Sequence, residues 1–263
     1  MSHVFGIDVS HYQGKIDWKA VKAQGKEFAI MKCMYEAQSH RIDETFERNY
    51  AHCGIYGIAR GVYIFIGTSS IADPVRDAKA LLGHLKDRVL EYGIWLDNES
   101  AALRALGANK IRELTYIYAD MFRAAGYYVG IYCNQDWYDH VIHPDLKKDF
   151  DFWIARYPLK DDGEYHATSK LKPKFAQAVA WQYSSKGNVL GILTPVDMDV
   201  DFDGIVHLVA SEPQRKTNEE IAKEVVNGLW GTKDTKPTRK ELLTRAGYDY
   251  EAIRKLVNEY YTK

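Results

Sequence analysis

Eight short runs of β-branched, aromatic and aliphatic residues punctuate the chain, and through its first half they alternate with longer stretches of helical period. This alternation limits the fold more than any other feature. The runs occupy residues 4–8, 28–32, 59–65, 93–97, 128–132, 152–156, 178–183 and 196–200. Helical patterns fill about 17–24, 43–53, 73–91 and 109–125, with Gly25 and Gly126 placed to end two of them. After residue 133 the helical signal fades, so loops are expected to join the later strands. Near-continuous apolar strands joined by helices imply a mostly parallel sheet covered on both faces. Eight of them in roughly 205 residues predict an α/β chain whose sheet curls into an irregular (β/α) TIM-like barrel.

The strand ends carry a different kind of residue from the strands. In chain order they present Asp8 with Ser10, His11 and Tyr12; Lys32; Tyr63 and Phe65; Asp97 and Glu99; Tyr132; Arg156 and Tyr157; Gln182 and Tyr183; Asp197 and Asp199. Core packing does not ask for polar groups at one strand end after another. In a βα barrel those ends converge on one face, where active sites lie.

The stretch Ile94-Trp95-Leu96-Asp97-Asn98-Glu99 is the sharpest case. Residues i and i+2 of an extended strand share a face, about 6.5 to 7 Å apart along the backbone. Two carboxylates that close raise one another's proton affinity, and an apolar wall adds desolvation. A protonated acid beside ionised carboxylates is what glycosidic cleavage needs, because the leaving oxygen must be protonated while positive charge builds on the sugar. Asp8 and Asp197 become neighbours if the barrel closes, and they would supply a negative field for that charge. Backbone spacing leaves open whether such a cleavage retains or inverts configuration.

Four carboxylates also suit a divalent metal, and residues 197–204, D-M-D-V-D-F-D-G, superficially resemble a calcium loop. Starting that loop at Asp199 sets Gly204 at its sixth position but Ala210 where a bidentate Glu belongs. Strict alternation with Met198, Val200 and Phe202 fits a strand, so no metal and no other cofactor is expected. Asp201 and Asp203 read as a solvated acidic strand end. His11 and His140 lack metal-type spacing partners and read as surface or capping residues. Lys32 reads equally as a structural partner for a rim carboxylate or as a site residue, and Tyr63, Trp95, Trp153 and Trp181 are core wherever they do not end a strand.

A net charge of -1 offers no general attraction to nucleic acid or anionic membrane. No 18-residue apolar run is present, so membrane insertion is not expected. The N-terminus has neither a basic nor an apolar signal region. The expectation is synthesis in a cytoplasm with no secretion signal of its own. Cys33, Cys53 and Cys133 are far apart, odd in number and in apolar surroundings, which predicts buried thiols. Dinucleotide, P-loop and nucleophile-elbow motifs are absent.

Taken in order, G-I-D-V-S-H-Y-Q-G (6–14), I-D-W (16–18), G-V-Y-I-F (61–65), W-L-D-N-E (95–99), G-I-Y (130–132), W-I-A-R-Y (153–157), W-Q-Y (181–183) and V-D-M-D (196–199) resemble the glycoside hydrolase family 25 lysozymes. The resemblance spans residues 4 to about 207 and implies hydrolysis of the β-1,4 bond between N-acetylmuramic acid and N-acetylglucosamine in peptidoglycan. It further implies that Glu99 is the general acid, Asp97 its partner, Asp8 and Asp197 flanking acids, and Tyr63 and Tyr132 aromatic lining. The strand-end pattern adds Lys32, Phe65, Trp153, Tyr157, Gln182 and Tyr183 as candidate substrate contacts. Two departures stand out: Ile64 replaces a frequent His, and K-C-M-Y-E (32–36) displaces a family Glu by one position, so Glu36 is left out of the site. The alternatives are a non-catalytic wall-binding barrel and a glucosaminidase or chitinase-like glycosidase.

The chain ends in a mildly basic segment, 11 Lys and Arg against 8 Asp and Glu in residues 213–263. There N-E-E-I-A-K-E-V-V-N-G-L-W-G (218–231) and R-A-G-Y-D-Y-E-A-I-R-K-L-V-N (245–258) resemble the CW_7 cell-wall-binding repeat of phage endolysins. Thr217 with Glu220 and Thr238 with Glu241 form two capping boxes, Gly228 and Gly247 end the helices they open, and Asp249 caps a third. The expected organisation is a catalytic barrel over 1–210, a linker over 211–216 and a small three-helix bundle over 217–263. Its expected core is Ile221, Val225, Trp230, Leu242, Leu243, Ile253 and Val257. A bundle of that size is marginal alone, so the tail either pairs with a second copy or binds the wall weakly and raises local concentration. Sedimentation is expected to show self-association, or else binding assays to show weak tail affinity; a monomer whose tail binds walls tightly would contradict both.

Overall fold

The computed structural model describes residues 3–35, 40–86, 88–202, 205, 218–226, 230, 232–234, 238–240, 243 and 248–261. The chain separates into two compact units, Met1–Ser211 and Glu212–Lys263. The first is built on strands β1 (Val4–Val9), β2 (Phe28–Lys32), β5 (Ala59–Phe65), β6 (Ile94–Asp97), β7 (Val129–Asn134), β8 (Phe152–Ala155), β9 (Ala178–Gly187) and β10 (Val196–Asp201). They close in the order β1-β10-β9-β8-β7-β6-β5-β2. A short side hairpin, β3 (Met34–Tyr35) with β4 (Arg41–Ile42), was not legible as a pair of strands.

Six of the eight barrel ladders are parallel, and the two that involve β10 are antiparallel. This corrects one expectation. Asp197 reaches the rim from the beginning of β10, and Asp199 and Asp201 then run down into the barrel. Asp201 is not a solvated strand end: it is buried, accepting the Tyr92 hydroxyl at 3.0 Å and the Ile205 backbone N–H at 2.7 Å. Asp203 and Gly204 lie outside the described residues.

Period-two alternation sorts the strand side chains into two apolar bodies. Ile7, Val9, Met31, Val62, Ile64, Ile94, Leu96, Ile131, Ile154, Met198 and Val200 point outward into the layer beneath the helices. Phe28, Ile30, Trp95, Tyr132, Trp153 and Ala180 point into the lumen and fill it with Tyr92 and Ile205. Phe28 and Tyr92 stack with centroids 4.2 Å apart, while Trp95 and Trp153 meet edge to face at 5.9 Å. The lumen is therefore a packed core with a shallow top, as a barrel of eight strands requires.

Helices α1 (Trp18–Ala23), α2 (Phe46–Ile55), α3 (Thr68–Ala72), α4 (Pro74–Leu85), α5 (Ala101–Arg104) and α6 (Gly107–Ala124) cover the first half. Asp17 Oδ1 accepts the Lys19 and Ala20 N–H groups, and Asp73 Oδ1 accepts that of Arg76 beside Pro74, so caps fix where α1 and α4 begin. The region expected to be loop after residue 133 holds two short helices, α7 (Gln135–His140) and α8 (Pro144–Asp149). Asn134 caps the first, and His143 with Pro144 opens the second. Each is six residues long, too short for a period to show. Among the described residues no helix is long and apolar enough to cross a membrane. All three cysteines are buried free thiols.

In the second unit, helices Asn218–Val226 and Tyr250–Tyr261 bury Ile221, Val225, Leu243, Ile253 and Val257, with Trp230 and Tyr248 packed against them. Asp249 Oδ1 accepts the Glu251 and Ala252 N–H groups, as an N-cap does. Residues 239, 240 and 243 are also helical. The linker, Thr217, Gly228, Glu241, Leu242 and Gly247 lie outside the described residues, as does Glu36.

Gly130 sits where a Cβ would overlap the Trp95 ring. Gly130→Val should lower the stability of the barrel by about 1–3 kcal/mol or more, read from chemical unfolding, because the lumen has no room to give. An unchanged midpoint would contradict the packed-lumen description.

Candidate active site

One cavity of about 250 Å³ opens at the C-terminal rim of the parallel strands, lined by Asp8, Tyr63, Asp97, Glu99, Tyr132, Trp153, Tyr157, Gln182 and Asp197. Barrel closure assembles it: Asp8 lies directly opposite Asp197 across the antiparallel β1–β10 ladder, and Asp97 opposite Tyr132 across β6–β7. Strand β6 stops at Asp97. The Asn98 N–H still reaches Tyr132 O at 2.9 Å, and Ser100 then caps α5 through the Leu103 N–H, which fixes the backbone on both sides of Glu99. Asp97 is only 6% exposed, whereas Glu99 keeps part of its side chain in the cavity wall and part in solvent.

Gln182 ties the cavity wall together. Its Nε2 donates to Asp8 Oδ2 at 2.6 Å, and its Oε1 accepts the hydroxyls of Tyr132, at 2.8 Å, and of Tyr157. Trp153 packs on Tyr132 with centroids 4.5 Å apart and donates its indole N–H to Asp199 at 2.9 Å. Asp97 Oδ1 is buried and receives no hydrogen bond among the described residues.

Burial raises the proton affinity of every acid in the group. Burial and then the charge of Glu99 push Asp97 well above the usual carboxylate range, with Lys32 pulling the other way. Burial also raises Glu99, again opposed by Lys32. Asp197 is pushed up to about 6 by burial, then by Glu99 and Asp161. Asp8 is raised well above its ordinary value by burial, then by Asp197 and Asp199. The cavity can thus hold protonated and ionised carboxyl groups side by side near neutral pH, the condition that acid-assisted cleavage sets.

Three expected contacts fall outside this lining. Tyr183 follows inward-facing Gln182, so alternation turns it outward, where it is buried against Trp181 and Tyr165. Phe65 pairs with Asp97 at the end of β5, half-buried and away from the cavity wall. Lys32 Nζ lies 5.3 Å from the Tyr35 ring centroid and 6.0 Å from that of Tyr63, acting on the acids through its charge. Asp199, grouped with the strand ends in the sequence, is wholly buried and absent from the lining, two residues beyond Asp197 on the same strand face. His11 bonds Asp43 at 3.1 Å and His140 bonds Asp136 at the same distance, each away from the cavity. Among the described residues no group of three His, Cys, Asp or Glu side chains is arranged to hold a metal ion. A second hollow of about 190 Å³, at the N-terminal ends of β7 and β8, is lined by Asp149 and Asp151. These acids already accept the hydroxyls of Tyr116 and Tyr128.

A closed barrel with a carboxylate-walled, aromatic-lined hollow on its C-terminal rim is the site of a lysozyme-type glycoside hydrolase. The chain belongs to glycosyl hydrolases family 25, whose model matches residues 7–192, and a CW_7 repeat matches residues 219–260. It is 28% identical to Lysozyme M1 of Streptomyces globisporus, over 77% of this chain and 69% of that one. It is also 28% identical to the lysozyme of Streptococcus phage Cp-7, over 62% of this chain and 45% of the relative. Among solved structures it resembles the modular autolysin LytC of Streptococcus pneumoniae, which was determined with a synthetic peptidoglycan ligand. That match has a TM-score of 0.63 and 25% identity, over 76% of this chain and 47% of that one. The chain thus spans less than half the length of the last two.

Raised carboxyl groups bear on stability. A folded-state value above the unfolded one means that the folded protein binds the proton more tightly, so stability falls as pH rises through about 6 for Asp197. Asp197→Asn should therefore stabilise the barrel by on the order of 1–3 kcal/mol at about pH 7.5, and the gain should vanish near about pH 4. Thermal unfolding across pH checks this, and a variant less stable at neutral pH would contradict it.

Proposed function

We propose that the barrel is an N-acetylmuramidase, cleaving the β-1,4 bond between N-acetylmuramic acid and N-acetylglucosamine, and that the chain acts as an endolysin. The observation that carries this reading is the meeting of Asp8, Asp97, Glu99 and Asp197 in one cavity. The family match and the phage lysozyme relative support it.

Glu99, at the open edge, is the general acid: it protonates the leaving glycosidic oxygen and can be recharged from solvent. As that bond lengthens, positive charge grows on the sugar ring, and ionised Asp197 stabilises it across the hollow. Asp97 Oδ1 has no donor among the described protein groups, which suits it to accept the N–H of the substrate's 2-acetamido group or to face the developing charge. Tyr63, Tyr132, Trp153 and Tyr157 supply flat faces for the pyranose rings, with Tyr157 at 38% exposure forming the lip. No step calls for a metal or cofactor. The CW_7 repeat holds the barrel on its polymeric substrate, where a weak attachment suffices to raise local concentration.

Glu99→Gln keeps the shape but has no proton to give. It should lower muropeptide release from purified walls by about 10³-fold or more while leaving wall binding intact. Retained turnover would move the acid role to another residue.

A further inference from the structure

Gln182 reads as a substrate contact in the sequence, yet the structure commits its amide to the protein itself. The residue is 3% exposed, on the inner face of β9 between Ala155 of β8 and Asp199 of β10. Its backbone carbonyl accepts the Arg156 N–H at 3.1 Å, which fixes its place in the wall. Nε2 donates to Asp8 Oδ2 at 2.6 Å, and Oε1 accepts the hydroxyls of Tyr132, at 2.8 Å, and of Tyr157. A primary amide has two acceptor sites and two donor protons. Both acceptor sites are filled and one proton goes to Asp8, so a single N–H is left over.

The three partners come from separate parts of the barrel: Asp8 from β1, Tyr132 from β7 and Tyr157 from just past β8. Their hydrogen bonds agree on one orientation of the amide. Turned over, it would set Oε1 2.6 Å from Asp8 Oδ2 and strip two hydroxyl protons of their acceptor. With both protons committed to Oε1, the Tyr132 and Tyr157 oxygens can only accept hydrogen bonds from a ligand in the cavity. Asp97, beside Tyr132 in the β6–β7 ladder, adds the open acceptor Oδ1.

We propose that Gln182 is a positioning residue rather than a substrate contact: one amide fixes Asp8 and orients two tyrosine hydroxyls as acceptors for the O–H and N–H groups of a sugar. The exposed lip at Tyr157 is thereby joined to Asp8 through two hydrogen bonds, although β9 and β10 stand between β8 and β1 in the barrel. Satisfied networks of this kind hold their members more firmly than separate pairs do. This deepens the muramidase reading and rests on it only for the kinetic arm of the test.

Gln182→Glu separates the two halves of the network, because its carboxylate still accepts both hydroxyls but has no proton for Asp8. In the parent chain it should lower the initial rate on purified walls by about tenfold or more. In Asp8→Ala the same change should cost less than about threefold, since the group it disturbs is gone. A cost that persists in Asp8→Ala would show Gln182 acting on substrate or on the fold by itself, and a parent cost below about threefold would show the Asp8 bond idle. Either result overturns the inference. Ligand-free full chain labelled with nitrogen-15 gives a readout that needs no substrate. The Gln182 Nε2 proton bonded to Asp8, assigned by its loss in Gln182→Met, should exchange with water about tenfold or more faster in Tyr132→Phe/Tyr157→Phe than in the parent, because the amide is then free to turn. Equal exchange in the two chains would mean that burial alone protects the proton, and it too would overturn the inference. If Gln182→Glu fails to unfold cooperatively, the exchange comparison decides alone. That comparison holds or fails separately from the bond assigned under the proposed function.

Discussion

The antiparallel pairing of the first and last strands is the constraint on which the rest depends. Seven strands in parallel would leave an open sheet with Asp8 on an edge. The return of β10 between β9 and β1 closes it and sets Asp8 against Asp197, residues separated by nearly the whole barrel sequence. Because β10 runs downward, its three inward acids lie at successive depths. Asp197 stands in the cavity wall, Asp199 is held by the Trp153 indole N–H, and Asp201 is held by Tyr92 and the Ile205 N–H. One reversed strand thus creates both a catalytic rim and a buried acidic column.

Packing then sets the electrostatics. Phe28, Tyr92, Trp95 and Trp153 fill the lumen so completely that water is excluded from the lower acids, and burial is the largest cause of every raised carboxyl group in the site. A wider barrel would solvate these groups and return them to ordinary values. The aromatic content thus sustains proton affinity from below and lines the cavity at the top.

Much of this was legible in the residues. Period-two alternation separated lumen from outer layer, and the carboxylates ending the first and fourth predicted strands pointed to one rim. What escaped depends on three-dimensional facts that a linear pattern does not carry. The direction of β10 is invisible in V-D-M-D-V-D, so Asp201 read as solvated when it is buried. Tyr183 reads as a strand-end contact beside Gln182, but consecutive strand residues face opposite ways and only Gln182 turns to the cavity. Phe65 has the right parity and pairs with Asp97, yet it does not line the cavity. Short capped helices such as Gln135–His140 lack the length that makes a helical period visible.

The account's central claim is that acids gathered by barrel closure cleave one particular glycosidic linkage, and the ends left on the products test it most directly. Mass spectrometry of fragments from defined peptidoglycan should find N-acetylmuramic acid at every new reducing end. New reducing ends of N-acetylglucosamine, or intact glycan strands after incubation with folded protein, would contradict it.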